Sequence, residues 1–485
     1  MNFSAWTFLV LFLPATMAGF LLLRGASAVW TRQALLVAAS LVFYGLGSLH
    51  DLGVLAASAA ANFAAGRLLG GGGIEGRRAR QIALWSAVGF NVALLFGFKL
   101  LALADRAADG FLSSEEILIP LALSFVTFQQ IGFVVACYRR RIARPGLFNY
   151  LFFVFFFPQL VMGPIVSFES IDRQLRDKAL VRVDAGDIVV GLSIFLFGLA
   201  KKVLLADRLA APVEAMFDAG GIAAASPAEA WFAIAAFQLQ LFLDFSAYSE
   251  MAIGLARMFG VALPINFDRP LSAVNRFDMW RRWHISFVTF MRSHVFRPLV
   301  RHAGLGAPAA LAATALVSGL WHGLGWTFML WAAAQTAILL ISHYRSRRRR
   351  RPVPAAGPRR ALAIALTFAT TCLLGVLFRS PTVGVAGDVY SALAPWNGGG
   401  GAVTLRDWAV AALAALVVWA APDARALFGG YWTAIDPRPD PPPRRDAPWW
   451  PRFALNRRWA IAFALLMLTT LFMVTDGNRF IYVQF

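Results

Sequence analysis

Ala309–Ser342 reads AALAATALVSGLWHGLGWTFMLWAAAQTAILLIS, and how this run is interpreted decides the fold. A helix crosses lipid with ~20 apolar residues, so the run is too long for one crossing. Its centre, around His322, is expected to break or turn. Glycines on both sides of that histidine permit close backbone approach or an irregular turn. Irregular backbone at membrane depth is tolerated only where it is buried in protein or lines a cavity. An ionisable residue in such a place is costly and points to function by default.

The rest of the chain agrees with a membrane reading. Of its 485 residues 59% are apolar and only 15% charged, whereas soluble proteins average about 45–50% and 25%. Further apolar runs cover Trp6–Leu23, Ala34–Leu46, Gly53–Leu68, Ile82–Ala104, Ile117–Cys137, Leu147–Val166, Ile188–Leu205, Trp231–Met258, Ala361–Phe378, Trp408–Ala421 and Ala460–Phe472. Together they supply roughly a dozen membrane-crossing segments. The expected class is therefore all-α: a polytopic integral membrane protein forming a single domain over residues 1–485. Disordered, fibrous and disulfide-framework classes are excluded, and Cys137 and Cys372, each inside an apolar run, read as packing thiols.

The formal charge of +19 comes from 45 Lys and Arg against 26 Asp and Glu. Arg24 and Arg32, then Arg77, Arg78 and Arg80, then Arg139, Arg140, Arg141 and Arg144 recur after every second run. Later basic loops lie near 345–360 and 437–458. This is the cytoplasmic marking expected of a multi-pass membrane protein, with the lipid bilayer as the partner of its charges and no nucleic acid. Trp6–Leu23 followed by Ala26-Ser27-Ala28 looks like a cleaved leader, but no Lys or Arg precedes the run and Arg24 follows it. It reads as a retained first span with its N-terminus outside. The glycine runs Gly70–Gly73 and Gly398–Gly401 precede no Lys-Ser or Lys-Thr pair and read as connectors, not phosphate loops.

Polar residues enter the apolar part in three places. Leu241–Glu250, LFLDFSAYSE, sets Asp244 and Tyr248 one turn apart on one helical face, as a wet cavity or a polar helix contact would. Trp280–Ser286, WRRWHIS, sets Trp280 and His284 at i,i+4, fitting either an interfacial anchor or a functional histidine. Ser318–Trp326, SGLWHGLGW, holds His322. Histidine suits proton removal near neutral pH. No Gly-x-Ser-x-Gly elbow is present. His284, His294 and His302 are spaced by ten and eight, with no HExxH, so no metal site is expected. Histidine-assisted transfer of an acyl group from a thioester to a hydroxyl needs neither metal nor internal nucleophile, and no bound cofactor.

Taken with PLALSFVTFQQ at Pro120–Gln130, FPQLVMGPIV at Phe157–Val166, DFSAYSEMAIG at Asp244–Gly254, GLWHG at Gly319–Gly323 and FIYVQF at Phe480–Phe485, these blocks resemble the membrane-bound O-acyltransferase superfamily. The resemblance is to its bacterial branch of alginate O-acetyltransferases and teichoic-acid D-alanyl transferases, in order and spacing along nearly the whole chain. It implies a funnel-shaped bundle of transmembrane and tilted helices, with a passage bringing a cytoplasmic acyl donor, acetyl-CoA, to an acceptor across the bilayer. The resemblance makes His322 the general base on the acceptor hydroxyl and His284 the second functional histidine, which orients or assists the thioester. Asp244, Tyr248, Trp280, Arg282, Trp283 and Trp321 become candidates for lining or bracing the passage, and cytoplasmic Arg residues for meeting the phosphates of coenzyme A.

Ala247, Glu250 and Phe287–Phe290 depart from the branch pattern, and the stretch 302–318 lacks its usual Asn. These changes leave the reaction class intact and leave the acceptor open among alginate, another exopolysaccharide, peptidoglycan or a secreted glycan. The expected activity is O-acetylation of an envelope or exported polysaccharide, completed with an extracytoplasmic acyltransferase- or esterase-like partner. A polysaccharide or lipid-linked sugar transporter would also bury polar residues and carry aromatic belts. A non-catalytic scaffold would have no need of histidines in apolar surroundings.

Overall fold

A computed structural model describes residues 2–23, 28–107, 119–217, 222, 225–348, 356–394, 400, 403–438, 450–475 and 480–481. The loop at 108–118, the basic segment 349–355, three of the four glycines at 398–401, the stretch 439–449 and the tail beyond 481 lie outside the described residues, as does Arg24. Among the described residues there are helices and no strand.

Each apolar run contains helix. Five helices are long and apolar enough to cross a bilayer: Leu49–Gly70, Arg77–Asp105, Ala185–Phe217, Pro227–Met258 and Pro358–Arg379. The bent pair Leu405–Trp419 and Ala424–Tyr431 is a sixth candidate. The other runs form shorter helices such as Thr7–Leu22, Leu123–Tyr138 and Trp326–Ser342, because breaks interrupt them. The chain expected to turn near His322 does so: Ala307–His322 ends there and Trp326–Arg348 folds back along it. Leu147–Val166, read as one run, is instead Leu147–Phe155 and the single turn Phe157–Leu160, then extended chain. Pro158 explains the division, since it can start a helix but cannot continue one.

Pro227–Met258 is the axis of the bundle. Ser226 and Glu229 close its N-terminus as a capping box, and 89% of its apolar window is buried. A helix covered on all sides faces protein, not lipid. Ala185–Lys201 lies along it at the closest spacing glycine allows. A Cβ on Gly254 would sit 2.5 Å from the Gly191 carbonyl oxygen and 2.5 Å from the Phe195 nitrogen. Small residues are how lipid-embedded helices approach backbone to backbone. Gly254→Leu is therefore expected to cost ~1–3 kcal/mol or more through overpacking, read as a lowered melting temperature in detergent.

Arginines read as lipid-facing are partly structural. Arg32 donates to the Leu23 and Leu180 carbonyls, and Arg80 to those of Leu69 and Tyr138, so both close helix ends inside the protein. Within the bundle, Ser58, Asn62, Asn91 and Gln130 form a buried amide network that ties Leu49–Gly70 to its two neighbours. The first helix is also core: Phe8 and Phe12 pack on Phe43 and Phe157.

Candidate active site

Two cavities flank the middle of the axial helix. One, of about 540 Å³, takes Phe237, Gln238 and Leu241 from its first half. The other, of about 680 Å³, takes Phe242, Ser246, Glu250 and Ile253 from the half that follows. Phe237 and Ile253 are roughly 24 Å apart along a helix rising 1.5 Å per residue, so the cavities are stacked along the bundle.

His284 and His322 both line the first cavity, 1% and 7% exposed. His322 is the last residue of its helix, delivered there by the break. A Cβ on Gly323 would fall 2.3 Å from the Phe328 ring, so glycine lets the returning helix close over the turn. The imidazole sits edge-on to Phe378 and Trp331, with ring centroids 4.9 and 5.5 Å away. Trp321 and Phe287, stacked at 4.8 Å, fill the space behind it.

Behind the same carbonyl end lies Lys99, from the Arg77–Ala107 helix and 6% exposed. Its Nζ donates to the carbonyl oxygens of Trp321 and, at 3.1 Å, His322. A cation there satisfies orphan carbonyls and the negative end of the helix dipole together. Sequence reading passed over it, although a lysine inside the apolar run Ile82–Ala104 is the kind of residue the membrane excludes.

His284 precedes the helix Ile285–Met291 with φ of 42°, a left-handed conformation that histidine adopts more readily than most residues. It is held there by Asn266. The Asn266 carbonyl accepts from Ile285 N at 2.9 Å, and its Oδ1 accepts from Ser286 Oγ at 2.6 Å and lies 3.4 Å from His284 Nδ1. Asn266 lines the second cavity, whereas His284 lines the first. The wall between the cavities is thus Asn266 and His284 together with the contacting rings of Phe242, Phe267 and Trp283.

The other expected site residues divide. Trp280 and Trp283 line the histidine cavity. Trp321 is the packing behind both histidines and donates to the Ser124 carbonyl. Arg282 does not reach the cavity; it holds the preceding loop through Asp278 at 2.7 Å and the Asp268 carbonyl. Asp244 and Tyr248 face away. Asp244 meets Lys202 at 2.7 Å and accepts from Ile481 N at 2.8 Å, while Tyr248 packs on Phe3 and Phe480. Lys202 also reaches Asp207 at 2.6 Å. The wide turn Lys202–Ala206 sends Lys202 to this cluster, and adjacent Lys201 to Glu250 and Ser246 in the second cavity.

Arg269, Asp423 and Arg425 complete the polar lining of that second cavity. Beyond it Arg438 bonds Asp268 and Asp436. Burial pushes the Asp436 carboxyl up, but hydrogen bonds from Arg438 and the nearby Arg425 outweigh it and hold the group below its usual range. No cluster of three or more potential metal ligands occurs among the described residues.

Residues 123–376 match the model of the membrane-bound O-acyltransferase family. The chain is 32% identical over 433 residues to a peptidoglycan O-acetyltransferase of Helicobacter pylori, covering 82% of this chain and 80% of that protein. It is 32% identical over 407 residues to a probable alginate O-acetylase of Azotobacter vinelandii, covering 81% and 78%. A teichoic acid D-alanyltransferase of Streptococcus thermophilus matches at 24% over 55% of this chain and 69% of its own.

Proposed function

The chain belongs to the membrane-bound O-acyltransferase family, and we propose that it is an O-acetyltransferase of the bacterial inner membrane, moving acetyl from cytoplasmic acetyl-CoA toward a cell-envelope or exported polysaccharide. The observation that carries this reading is the shared wall: two stacked cavities, one charged and one aromatic, meet at His284 and Asn266, with His322 on the aromatic side.

The charged cavity is the donor side. Ala262, just past the end of the axial helix nearer that cavity, exchanges hydrogen bonds with Gln174. Gln174 belongs to the helix Phe168–Arg176, which also carries Arg173 and Arg176. Basic segments at this end support a cytoplasmic orientation. Lys201, Arg269 and Arg425 suit the phosphates of coenzyme A, and the pantetheine arm reaches the wall.

On the other side His322 removes the proton of the acceptor hydroxyl as its oxygen attacks the thioester carbonyl. The tetrahedral intermediate collapses by breaking the C–S bond, and the thiolate leaves as coenzyme A after taking a proton. His284, held by Asn266, which Ser286 Oγ in turn bonds, orients the thioester at the wall. The names of the relatives support a polysaccharide acceptor, and an extracytoplasmic acyltransferase- or esterase-like partner completes delivery.

Membranes containing the protein, incubated with acetyl-labelled coenzyme A, test the reading. Ester-linked label appearing together with free coenzyme A is expected; a glycan moved across the membrane with no acetyl transfer would instead favour the transporter reading.

A further inference from the structure

Gln238, on the axial helix, lines the cavity of His284 and His322 and is 3% exposed. Among the described residues its carboxamide has no hydrogen-bond partner. Nor is it sealed in, since both amide atoms keep accessible surface, unlike the enclosed Nε of Arg276 in the same cavity. The second amide there, Gln335, is committed. Its Oε1 accepts from Arg276 Nη2 at 2.7 Å and from Trp280 Nε1 at 3.3 Å, and Arg276 is tied further to Thr371. A buried amide without a partner lowers stability, and proteins break such local rules chiefly where a site requires it. Gln238 is a donor kept open for something that arrives.

Its place along the cavity indicates what that is. Phe242, one turn further along the same face of the axial helix, belongs to the wall and contacts Phe267 and Trp283 there. On the other side, a Cβ on Gly375 would stand 3.5 Å from Gln238 Oε1, so the amide oxygen lies against the helix Pro358–Arg379. Phe378, one turn beyond Gly375 on that helix, holds its ring 4.9 Å from the His322 imidazole. The amide therefore sits between the wall, where a thioester entering from the charged cavity ends, and the imidazole.

We propose that Gln238 is the oxyanion donor of the acyl transfer, its Nε2–H bonding the thioester carbonyl oxygen as that oxygen takes up charge. This rests on the acyltransferase reading and adds a catalytic residue to it. When the acceptor oxygen bonds to the thioester carbon, the C=O π pair moves onto the carbonyl oxygen and the hydroxyl proton passes to His322. Collapse restores C=O and breaks C–S; the thiolate takes up a proton to leave as coenzyme A, and His322 releases its own. The carbonyl oxygen is charged only between those two events, so a donor aimed at it lowers the barrier without tightening the ground state. In an aromatic cavity a neutral amide supplies that donor at a smaller desolvation cost than a cation would.

The test measures steady-state transfer by membranes that contain the full chain and retain envelope polysaccharide and the extracytoplasmic fraction, supplied with acetyl-labelled coenzyme A. Gln238→Met keeps the length of the side chain and removes its N–H. It is expected to lower kcat by about tenfold to a hundredfold, the worth of one hydrogen bond to a charged atom, with KM for acetyl-CoA nearly unchanged. Its melting temperature in detergent should stay the same or rise, because an unpaired amide is gone. Fluoroacetyl-CoA gives a second readout: its fluorine disperses the oxyanion charge, so the variant's deficit should be smaller with fluoroacetyl than with acetyl. Undiminished kcat in Gln238→Met overturns the inference and leaves the acyltransferase reading standing. A deficit accompanied by a lowered melting temperature or failed assembly, or one equal for both donors, overturns it too, since the amide would then serve the fold. Wild-type membranes that transfer no acetyl remove both readings.

Discussion

His322→Ala is expected to lower acetyl transfer by ~10²–10⁴-fold, the usual contribution of a positioned general base, equivalent to ~3–5 kcal/mol of barrier. The loss should fall on kcat. In the proposed reading the donor occupies the cavity across the wall, which His322 does not line. The variant should still insert and migrate as a single species, because Lys99 on the carbonyl end and the Trp321–Phe287 stack hold that helix end without the ring. Undiminished transfer by well-folded His322→Ala would remove this residue from the chemistry.

Lys99→Met is expected to have the second largest effect, and it acts through His322. The lysine is a positioning residue: it holds the two carbonyl groups that end the helix Ala307–His322. Without it those carbonyls are buried and unpaired, at ~1–3 kcal/mol each, and the turn at Gly323 loses its anchor. A shift of ~1 Å in a reacting group can cost ~10²-fold in rate, so kcat should fall by about that factor while KM for acetyl-CoA changes little. Lys99→Arg, which keeps a cationic donor at the helix end, should recover part of kcat. A melting temperature lowered with kcat intact would show that the ammonium serves the fold alone.

How legible this was differs from residue to residue. The break at His322 was plain, because one run exceeded the length of a crossing and glycines flanked the only ionisable group in its middle. The class of fold was plain for the same reason, since lipid imposes long apolar helices and little else. The division of Leu147–Val166 was not, although Pro158 marked it. Asp244 and Tyr248 were placed correctly on one face, but helical periodicity says nothing of which neighbour that face meets. It meets Lys202 and the segment at Phe480–Ile481, far away in sequence. Lys99 and Lys202 each carried the signal of a cation inside an apolar run, and both were missed. Arg276 and Asn266 carried none. Each lies in a polar connecting stretch and becomes part of a cavity only through contacts with Gln335 and Thr371, or with Ser286, that no local pattern encodes.

The central claim is that a donor on one side of the membrane and an acceptor on the other meet at the wall formed by His284 and Asn266. Sealed inside-out vesicles, with acetyl-labelled coenzyme A outside and acceptor polysaccharide enclosed together with the extracytoplasmic fraction that holds the partner, test it directly. Label should appear as ester on the enclosed polysaccharide, with free coenzyme A left outside and His322→Ala vesicles inactive. Ester found only on acceptor supplied to the donor face, or enclosed acceptor left unlabelled while the His322→Ala vesicles match the wild type, would contradict the account.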